Sequence, residues 1–303
     1  MGTEFTAQVI ASHGRHATVC ADGCSTPARP FGRRLALVCG DRVRCRRDDR
    51  HDEVHVLERL PRQTALHRTN ARGESEVIAA NLDLLAVVIA PRPVADFFLV
   101  DRYLAAAASA GLEALIVLNK CDLEIPAGWH TELAALARCG YRTIESSARD
   151  GTGLDALRDA FAGHTAALTG QSGVGKSSLV AGLVPGAAVE TGELLREGGG
   201  RHTTTTSRLY PLAGGGQLID SPGVRDFAPA IERLDRKTLG FTDVARFATG
   251  CRFLDCRHLR EPDCAVREAA ERATMHPRRY ESYRRLRHLY DELRAAQGPA
   301  ARR

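Results

Sequence analysis

Residues 170–177 have the residue types and the spacing to hold nucleotide phosphates. They run Gly-Gln-Ser-Gly-Val-Gly-Lys-Ser and match G-x-x-x-x-G-K-[ST] at every fixed position. The glycines let successive backbone N–H groups converge on phosphate oxygens, and a helix that begins there adds partial positive charge. We expect Lys176 to reach the β- and γ-phosphates and the Ser177 hydroxyl to bind Mg²⁺. The predicted loop residues are Gly170, Gln171, Ser172, Gly173, Val174, Gly175, Lys176, Ser177 and Ser178.

The context of this loop separates it from a glycine-rich turn that arises by chance. An apolar strand, predicted at 165–168, precedes it, and a helix, predicted at 177–183, follows it. A strand, a glycine-rich loop and a helix are the order that this motif requires.

A second motif, Asn119-Lys120-Cys121-Asp122, follows an apolar run at 114–118. The Asp122 carboxylate can accept hydrogen bonds from the N1–H and the exocyclic amine of guanine, a pair of donors that adenine lacks. Lys120 would lie along the base and ribose, and Asn119 would tie this loop to the phosphate loop. Alone, the tetrapeptide would be interpreted as an exposed turn. The next predicted strand ends at Ser146-Ser147-Ala148, where a backbone N–H of Ser147 or Ala148 can meet guanine O6.

These base-binding motifs precede the phosphate loop by about fifty residues, whereas in ordinary GTPases they follow it. A permuted chain can close the same sheet, because permutation requires only that the old termini lie close together. The motifs therefore predict a circularly permuted P-loop GTPase domain that binds GTP or GDP with Mg²⁺.

The switch elements are predicted after the phosphate loop. Asp220-Ser221-Pro222-Gly223 follows an apolar strand as D-x-x-G should, so that Asp220 would hold Mg²⁺ through water and the Gly223 N–H would sense the γ-phosphate. A threonine of the run 203–206 could ligate Mg²⁺, and we favour Thr204 or Thr205; the alternative is an exposed strand.

Val224 stands where many GTPases place the glutamine that orients the attacking water. Valine has no polar group for this purpose. His202, beside the threonines, is the best internal candidate for water orientation, although a lone surface histidine is usually inert. We therefore predict His202 and Lys176 as the catalytic residues.

The C-terminal part carries the spacing Cys-x4-Cys-x-His-x5-Cys. Three thiolates and an imidazole suit tetrahedral Zn²⁺, and four protein ligands would leave no open position, so a structural role is predicted. The alternative is a loop with buried thiols. The predicted ligands are Cys251, Cys256, His258 and Cys264.

A basic helix is predicted at about 278–296, with arginines interleaved with tyrosines. It could contact RNA, or it could be a solvated helix face beside a Tyr/Leu core stripe.

The elements that position these motifs predict a multidomain α/β protein. Residues 1–62 contain five short strands, predicted near 6–10, 16–20, 34–38, 41–45 and 53–57, which suggest an OB-like β-barrel. An RNA contact and a β-module of unknown role remain equal alternatives for it. Residues 63–235 alternate strands with helices, as a parallel sheet with helices on both faces does, and end in a hairpin. Residues 236–303 form a zinc-binding and basic helical domain.

Composition excludes other protein classes. The chain of 303 residues has 44% hydrophobic and 26% charged residues, the proportions of an ordinary globular protein. Its longest apolar runs are too short to span a membrane, and no secretory signal pattern begins it. Nine cysteines without a framework argue against a disulfide-stapled domain. We expect a cytoplasmic monomer.

The chain resembles the ribosome small-subunit-dependent GTPase A family (RsgA, also called YjeQ). The features that carry the resemblance are the permuted order, the phosphate loop, the run 202–206, the element 220–225 and the Cys/His spacing. The resemblance extends over nearly the whole chain, including 40–43 in the barrel. It implies an N-terminal OB-fold, a central permuted GTPase domain and a C-terminal zinc domain. It also implies binding to the 30S subunit and its 16S rRNA during late maturation, with weak GTP hydrolysis that this subunit stimulates. In this family the histidine before the switch threonines is proposed to position the hydrolytic water, and His202 matches it.

Two other functions compete with a GTPase timer that docks on rRNA with GTP and leaves after hydrolysis. One is an RNA-binding assembly scaffold in which nucleotide turnover is incidental. The other is a P-loop kinase for a small molecule, which the base-selecting motifs disfavour.

Overall fold

The computed structural model describes residues 3–13, 16–31, 35–48, 51, 53–184, 207–225 and 227–296. Within these ranges one continuous sheet of eleven strands joins the N-terminal and central modules. No helix in the same ranges is both long and apolar enough to cross a membrane.

The N-terminal module is the predicted five-stranded barrel. Its strands are β1 (Glu4–His13), β2 (His16–Ala21), β3 (Cys24–Pro30), β4 (Arg42–Asp48) and β5 (Glu53–Arg59). They pair in the order β1-β2-β3-β5-β4, and β4 returns to β1 to close the barrel. Alternate residues point inward, as period-two strands require, and fill a small core that includes Val9, Val19, Val43, Val54 and Val56.

The sequence placed the third strand wrongly. It predicted a strand at 34–38, but 35–38 have no regular structure and the third strand is Cys24–Pro30. That strand contains Pro27, a residue that weakens a local strand signal. Pro27 lies outside the short ladder that Ala28–Pro30 form with β5. At Pro27 the strand is therefore paired only with β2, and such an edge position tolerates a proline.

A hairpin that the sequence did not predict connects the barrel to the central module. Strands β6 (Ala65–Thr69) and β7 (Ser75–Ala80) pair with each other, and Arg68 bridges to Pro229.

The central module alternates strands and helices as predicted. Its elements are β8 (Leu84–Ile89), α1 (Phe97–Ser109), β9 (Glu113–Asn119), α2 (Trp129–Arg138), β10 (Arg142–Ser146), α3 (Leu154–Phe161), β11 (Thr165–Thr169), α4 (Lys176–Leu183), β12 (Ser207–Pro211) and β13 (Gln217–Asp220). The strand order is β10-β9-β8-β11-β13-β12. The first five of these strands run parallel, and β12 forms the predicted antiparallel hairpin with β13. Since β12 also pairs with β1, this hairpin joins the central sheet to the barrel.

Both faces of the central sheet are covered. Along β8, Leu85 and Val87 face one core cluster, which α1 and the C-terminal helices share, while Ala86 and Val88 face the cluster under α3 and α4. The parallel strands end on one edge, which is where an open α/β sheet places its ligand.

The C-terminal module packs on α1. It follows α5 (Pro222–Arg225) and a 3₁₀ turn (Ile231–Arg233), and consists of α6 (Thr242–Ala248), α7 (Ala265–Glu271) and α8 (Pro277–Ala296). Helix α8 is the predicted basic helix, but much of it is core: Tyr283, Tyr290, Arg279 and Arg287 are buried. The core-stripe alternative therefore describes this helix better than an RNA-facing row of arginines.

Candidate functional site

The phosphate loop lies at the carboxyl end of β11 and can be formed only with glycine at two positions. A Cβ on Gly170, at φ +147°, would stand 2.1 Å from the Val88 carbonyl oxygen. A Cβ on Gly175, at φ +96°, would stand 2.3 Å from Asn119 Nδ2. Lys176 begins α4, and its ammonium group donates to the carbonyl oxygens of Gly170 (2.7 Å) and Gln171 (2.6 Å). The loop therefore curves around a lysine that is almost fully buried.

The base-binding loop is bonded directly to the phosphate loop. Asn119, at the end of β9, is buried, and its Nδ2 donates to the Val174 carbonyl oxygen at 2.8 Å. Lys120 Nζ donates to the carbonyl oxygens of Gly173 and Arg92, each at 2.7 Å. These bonds span more than fifty residues of sequence and place both motifs in one site.

The remaining base-binding residues lie beside them. The Ala148 N–H faces Asn119 Oδ1 at 3.3 Å, and Ser147 is fully buried. The Asp122 carboxylate stays partly exposed, and the nearest guanidinium nitrogen of the exposed Arg149 side chain lies 3.8 Å from its Oδ2. The polar edge of a guanine could therefore approach Asp122 from solvent.

Two described side chains are predicted to hold magnesium, Ser177 directly and Asp220 through water, and both contact Arg225. Its Nη1 donates to Ser177 Oγ at 2.8 Å and its Nε donates to Asp220 Oδ1 at 2.6 Å, while Nη2 bonds the second carboxylate oxygen. A hydroxyl and a carboxylate are the oxygen donors that Mg²⁺ prefers, so the residues present fit this ion. Gly223 lies in α5, three residues after Asp220.

Val224 is fully buried and packs in the core cluster under α1. The predicted water-orienting residue, His202, and the predicted switch threonines, Thr204 and Thr205, lie outside the described residues. Their roles therefore stay predictions.

The Cys/His residues of the C-terminal module converge. One ligand atom from each of Cys251, Cys256, His258 and Cys264 lies within 4.8 Å of the others. Cys251 Sγ is 3.4 Å from His258 Nδ1 and 3.9 Å from Cys264 Sγ, and Cys264 Sγ is 3.5 Å from His258 Nδ1. Tetrahedral zinc bonds of about 2.3 Å to sulfur and about 2.0 Å to nitrogen imply separations of about 3.8 Å between sulfurs and about 3.5 Å from sulfur to nitrogen.

The donor set and its spacing thus fit a tetrahedral ion. Burial raises the pKa of Cys256 and of Cys264, so these thiols would hold their protons until a cation binds. Metal binding here would therefore release protons.

The comparisons with known proteins show the family to which this architecture belongs. A family model described as RsgA GTPase matches residues 59–229. The small ribosomal subunit biogenesis GTPase RsgA of Azotobacter vinelandii is 45% identical over 255 residues, which cover 83% of this chain and 74% of that protein. The chain belongs to the RsgA GTPase family. A second RsgA, from Pseudomonas aeruginosa, is 42% identical over 291 residues, 94% of this chain and 86% of the relative.

Solved structures also resemble this RsgA-family chain. The crystal structure of YjeQ from Thermotoga maritima superposes with a TM-score of 0.74 at 27% identity, over 95% of this chain and 99% of that one. YloQ, described as a circularly permuted GTPase, gives a TM-score of 0.72 at 22% identity, over 96% of each chain, and shares the fold. The permuted architecture predicted from motif order is thereby confirmed.

Some residues of the RsgA site were not assigned from the sequence. Arg225 was noted in the resemblance without a role. The loop after β8 carries no recognisable motif, yet its Arg92 carbonyl oxygen accepts from Lys120 Nζ, and its Asp96 N–H donates to Gln171 Oε1 at 3.0 Å. The signal that points to this loop is its position in the sheet. Strand β8 pairs in parallel with β11, so the carboxyl end of β8 must lie beside the phosphate loop.

Proposed function

We propose that this RsgA-family chain hydrolyses GTP to GDP and phosphate during biogenesis of the small ribosomal subunit, and that the 30S subunit stimulates the reaction. The observation that carries the nucleotide part is the hydrogen bond from Asn119 to Val174, because it fixes the guanine-selecting loop against the phosphate loop. The partner follows from the names of the relatives, which act in small-subunit biogenesis.

The roles within the site follow from the groups present. Asp122 would accept from guanine, while the backbone N–H groups of the phosphate loop, with Lys176, would bind phosphate oxygens. Ser177 directly and Asp220 through water would hold Mg²⁺, which neutralises charge on the β- and γ-phosphates when it is bound. The Gly223 N–H would detect the γ-phosphate. Water orientation is assigned to His202, and the switch ligand to Thr204 or Thr205.

We extend the proposal to the flanking modules. Residues 1–62 and 236–303 would dock on 16S rRNA from the two ends of the GTPase domain, 63–235, and Zn²⁺ on the four Cys/His ligands would stabilise the loop 251–264 as a rigid structural element. A role on bacterial ribosomal subunits implies a cytoplasmic protein, and we propose that it acts as a monomer.

Phosphate release from GTP and from ATP, with and without purified 30S subunits, tests the proposal. We expect GTP-selective release that rises strongly with 30S. Equal release from ATP would refute the guanine site, and the absence of a 30S effect would refute the partner. In the same assay His202→Ala should slow hydrolysis but leave GDP affinity unchanged, and unaltered turnover would remove His202 from the catalytic role.

The scaffold alternative predicts a different binding result. A timer should bind 30S more tightly with a non-hydrolysable GTP analogue than with GDP, whereas a scaffold should bind equally with both. Metal analysis of the purified protein should find about one zinc per chain.

A further inference from the structure

Arg225 makes contacts that the GTPase motifs do not explain. Its guanidinium group forms a two-pronged bond with the Asp220 carboxylate and a third bond with Ser177 Oγ. These are the two side chains that the phosphate motif and the D-x-x-G motif assign to Mg²⁺. One arginine therefore bridges the hydroxyl and the carboxylate that the motifs assign to the ion.

The guanidinium group occupies the space that a magnesium ion and its bound water would need. Mg²⁺ binds oxygen at about 2.0–2.1 Å in nearly octahedral geometry, so the Ser177 hydroxyl and the water that links the ion to Asp220 would both belong to its close ligand shell. The Arg225 nitrogens lie 2.6 Å from an Asp220 oxygen and 2.8 Å from Ser177 Oγ, in the region between the two ligands. Two cations there would also repel each other across a partly buried carboxylate, which is only 14% exposed.

The backbone of Arg225 is fixed, but its side chain has room to leave. The Arg225 carbonyl oxygen accepts from the Gly170 N–H at 3.1 Å and faces the Thr169 hydroxyl at 3.4 Å, so the main chain is bonded to the start of the phosphate loop. The side chain is 29% exposed. A rotation about its side-chain bonds would thus release Ser177 and Asp220 without moving the loop.

We propose that Arg225 is a positioning residue that competes with Mg²⁺ for Ser177 and Asp220, so that the ion enters only as the guanidinium group leaves. This inference rests on the proposed function, because it assumes the nucleotide and magnesium site described above. Arg225 holds the two ligands in place before the ion arrives. It also raises the magnesium concentration that the site requires.

The test is a magnesium titration of the complex with fluorescently labelled GDP, together with GDP affinity in excess chelator. Arg225→Ala should lower the midpoint of the magnesium titration by about tenfold, the size of one charge-assisted hydrogen bond. Its GDP affinity in chelator should stay at the wild-type value. Arg158→Ala is the matched control, since Arg158 pairs with Asp155 and the Gly182 carbonyl and touches neither magnesium ligand.

Arg225→Lys separates bridging from charge and covers the case in which the alanine variant does not fold. Lysine keeps the charge but lacks the planar fork that spans two ligands, so its midpoint should also fall, though by less. A wild-type midpoint in both variants would overturn the proposal, and so would a loss of GDP affinity in chelator, which would make Arg225 a phosphate ligand. If the wild-type protein itself did not bind GDP, the proposed function would fail instead.

Discussion

Replacing Arg279 with methionine should destabilise the protein strongly, and the loss should depend on pH. The Arg279 side chain is 1% exposed. It donates to both carboxylate oxygens of Asp243, at 2.9 and 2.7 Å, and to Asp101 at 2.7 Å. Asp101 lies on α1 and Asp243 on α6, so this one side chain of α8 connects two other helices.

The magnitude follows from what the substitution leaves behind. Methionine fills a similar length but leaves Asp243 buried without its arginine. Removing one partner of a buried ion pair costs about 3–5 kcal/mol. Arg284→Met is the control on the same helix, because Arg284 and its partner Glu281 are 46% and 39% exposed, and such a surface pair contributes at most about 1 kcal/mol.

The pH dependence follows from the two influences on Asp243. Burial is the larger and would raise the pKa of this carboxyl group, but the hydrogen bonds and the charge of Arg279 outweigh it and hold the pKa below its usual value. In the wild type, the stabilisation is therefore complete above the unfolded-state pKa of about 3.9 and is lost as the pH falls through the lower folded-state pKa. The methionine variant lacks both lowering influences of Arg279, and only the smaller effects of Cys139 and the Asp243 backbone N–H then oppose burial. We therefore expect the folded-state pKa of Asp243 to rise above the unfolded value, so stability should increase as the pH is lowered from 7.5 toward 5.

Urea unfolding at these two pH values, followed by tryptophan fluorescence, measures both effects. The single tryptophan, Trp129, is buried edge-to-face against Phe97, and the Arg278 guanidinium group lies over that Phe97 ring, so its emission reports on this interface. A deficit no larger than that of Arg284→Met, or a deficit equal at both pH values, would refute the account of the buried ion cluster.

Two further substitutions have matched controls. Gly175→Ala should abolish binding of labelled GDP, because its Cβ would collide with Asn119. The control Gly214→Ala has a similar positive φ and open space around it, so it should bind normally. Equal affinities of the two variants would contradict the predicted collision. Glu261→Ala should speed zinc loss to a chelator by about tenfold or more, since the Glu261 carboxylate accepts from the N–H groups of Arg257 and Leu259 beside the metal ligands. Glu271→Ala is the control, and equal rates of zinc loss from both variants would contradict this role.

The sequence predicted those features whose chemistry is local. A phosphate loop needs its glycines, its lysine and the flanking strand and helix in one short segment, so 170–178 could be identified without the fold. The start of helix α1 is equally local, because Asp96 caps it by accepting from the Phe98 N–H. The third barrel strand was missed because a segment with Pro27 gives no local strand signal, whereas pairing with β2 stabilises the strand there.

The sequence by itself determined which motifs are present, their permuted order and the Cys/His ligand set, because each depends on residue types at short, fixed spacing. Only the tertiary structure decided which distant groups meet. It brought Asn119 to Val174, set Arg225 between Ser177 and Asp220, and buried Arg279 against two acidic residues. The same arginine-rich segment could have been a nucleic-acid surface or a core element. Its role was decided by carboxylates on helices far away in sequence, since the strength of an ion pair depends on burial and distance, which no local pattern specifies.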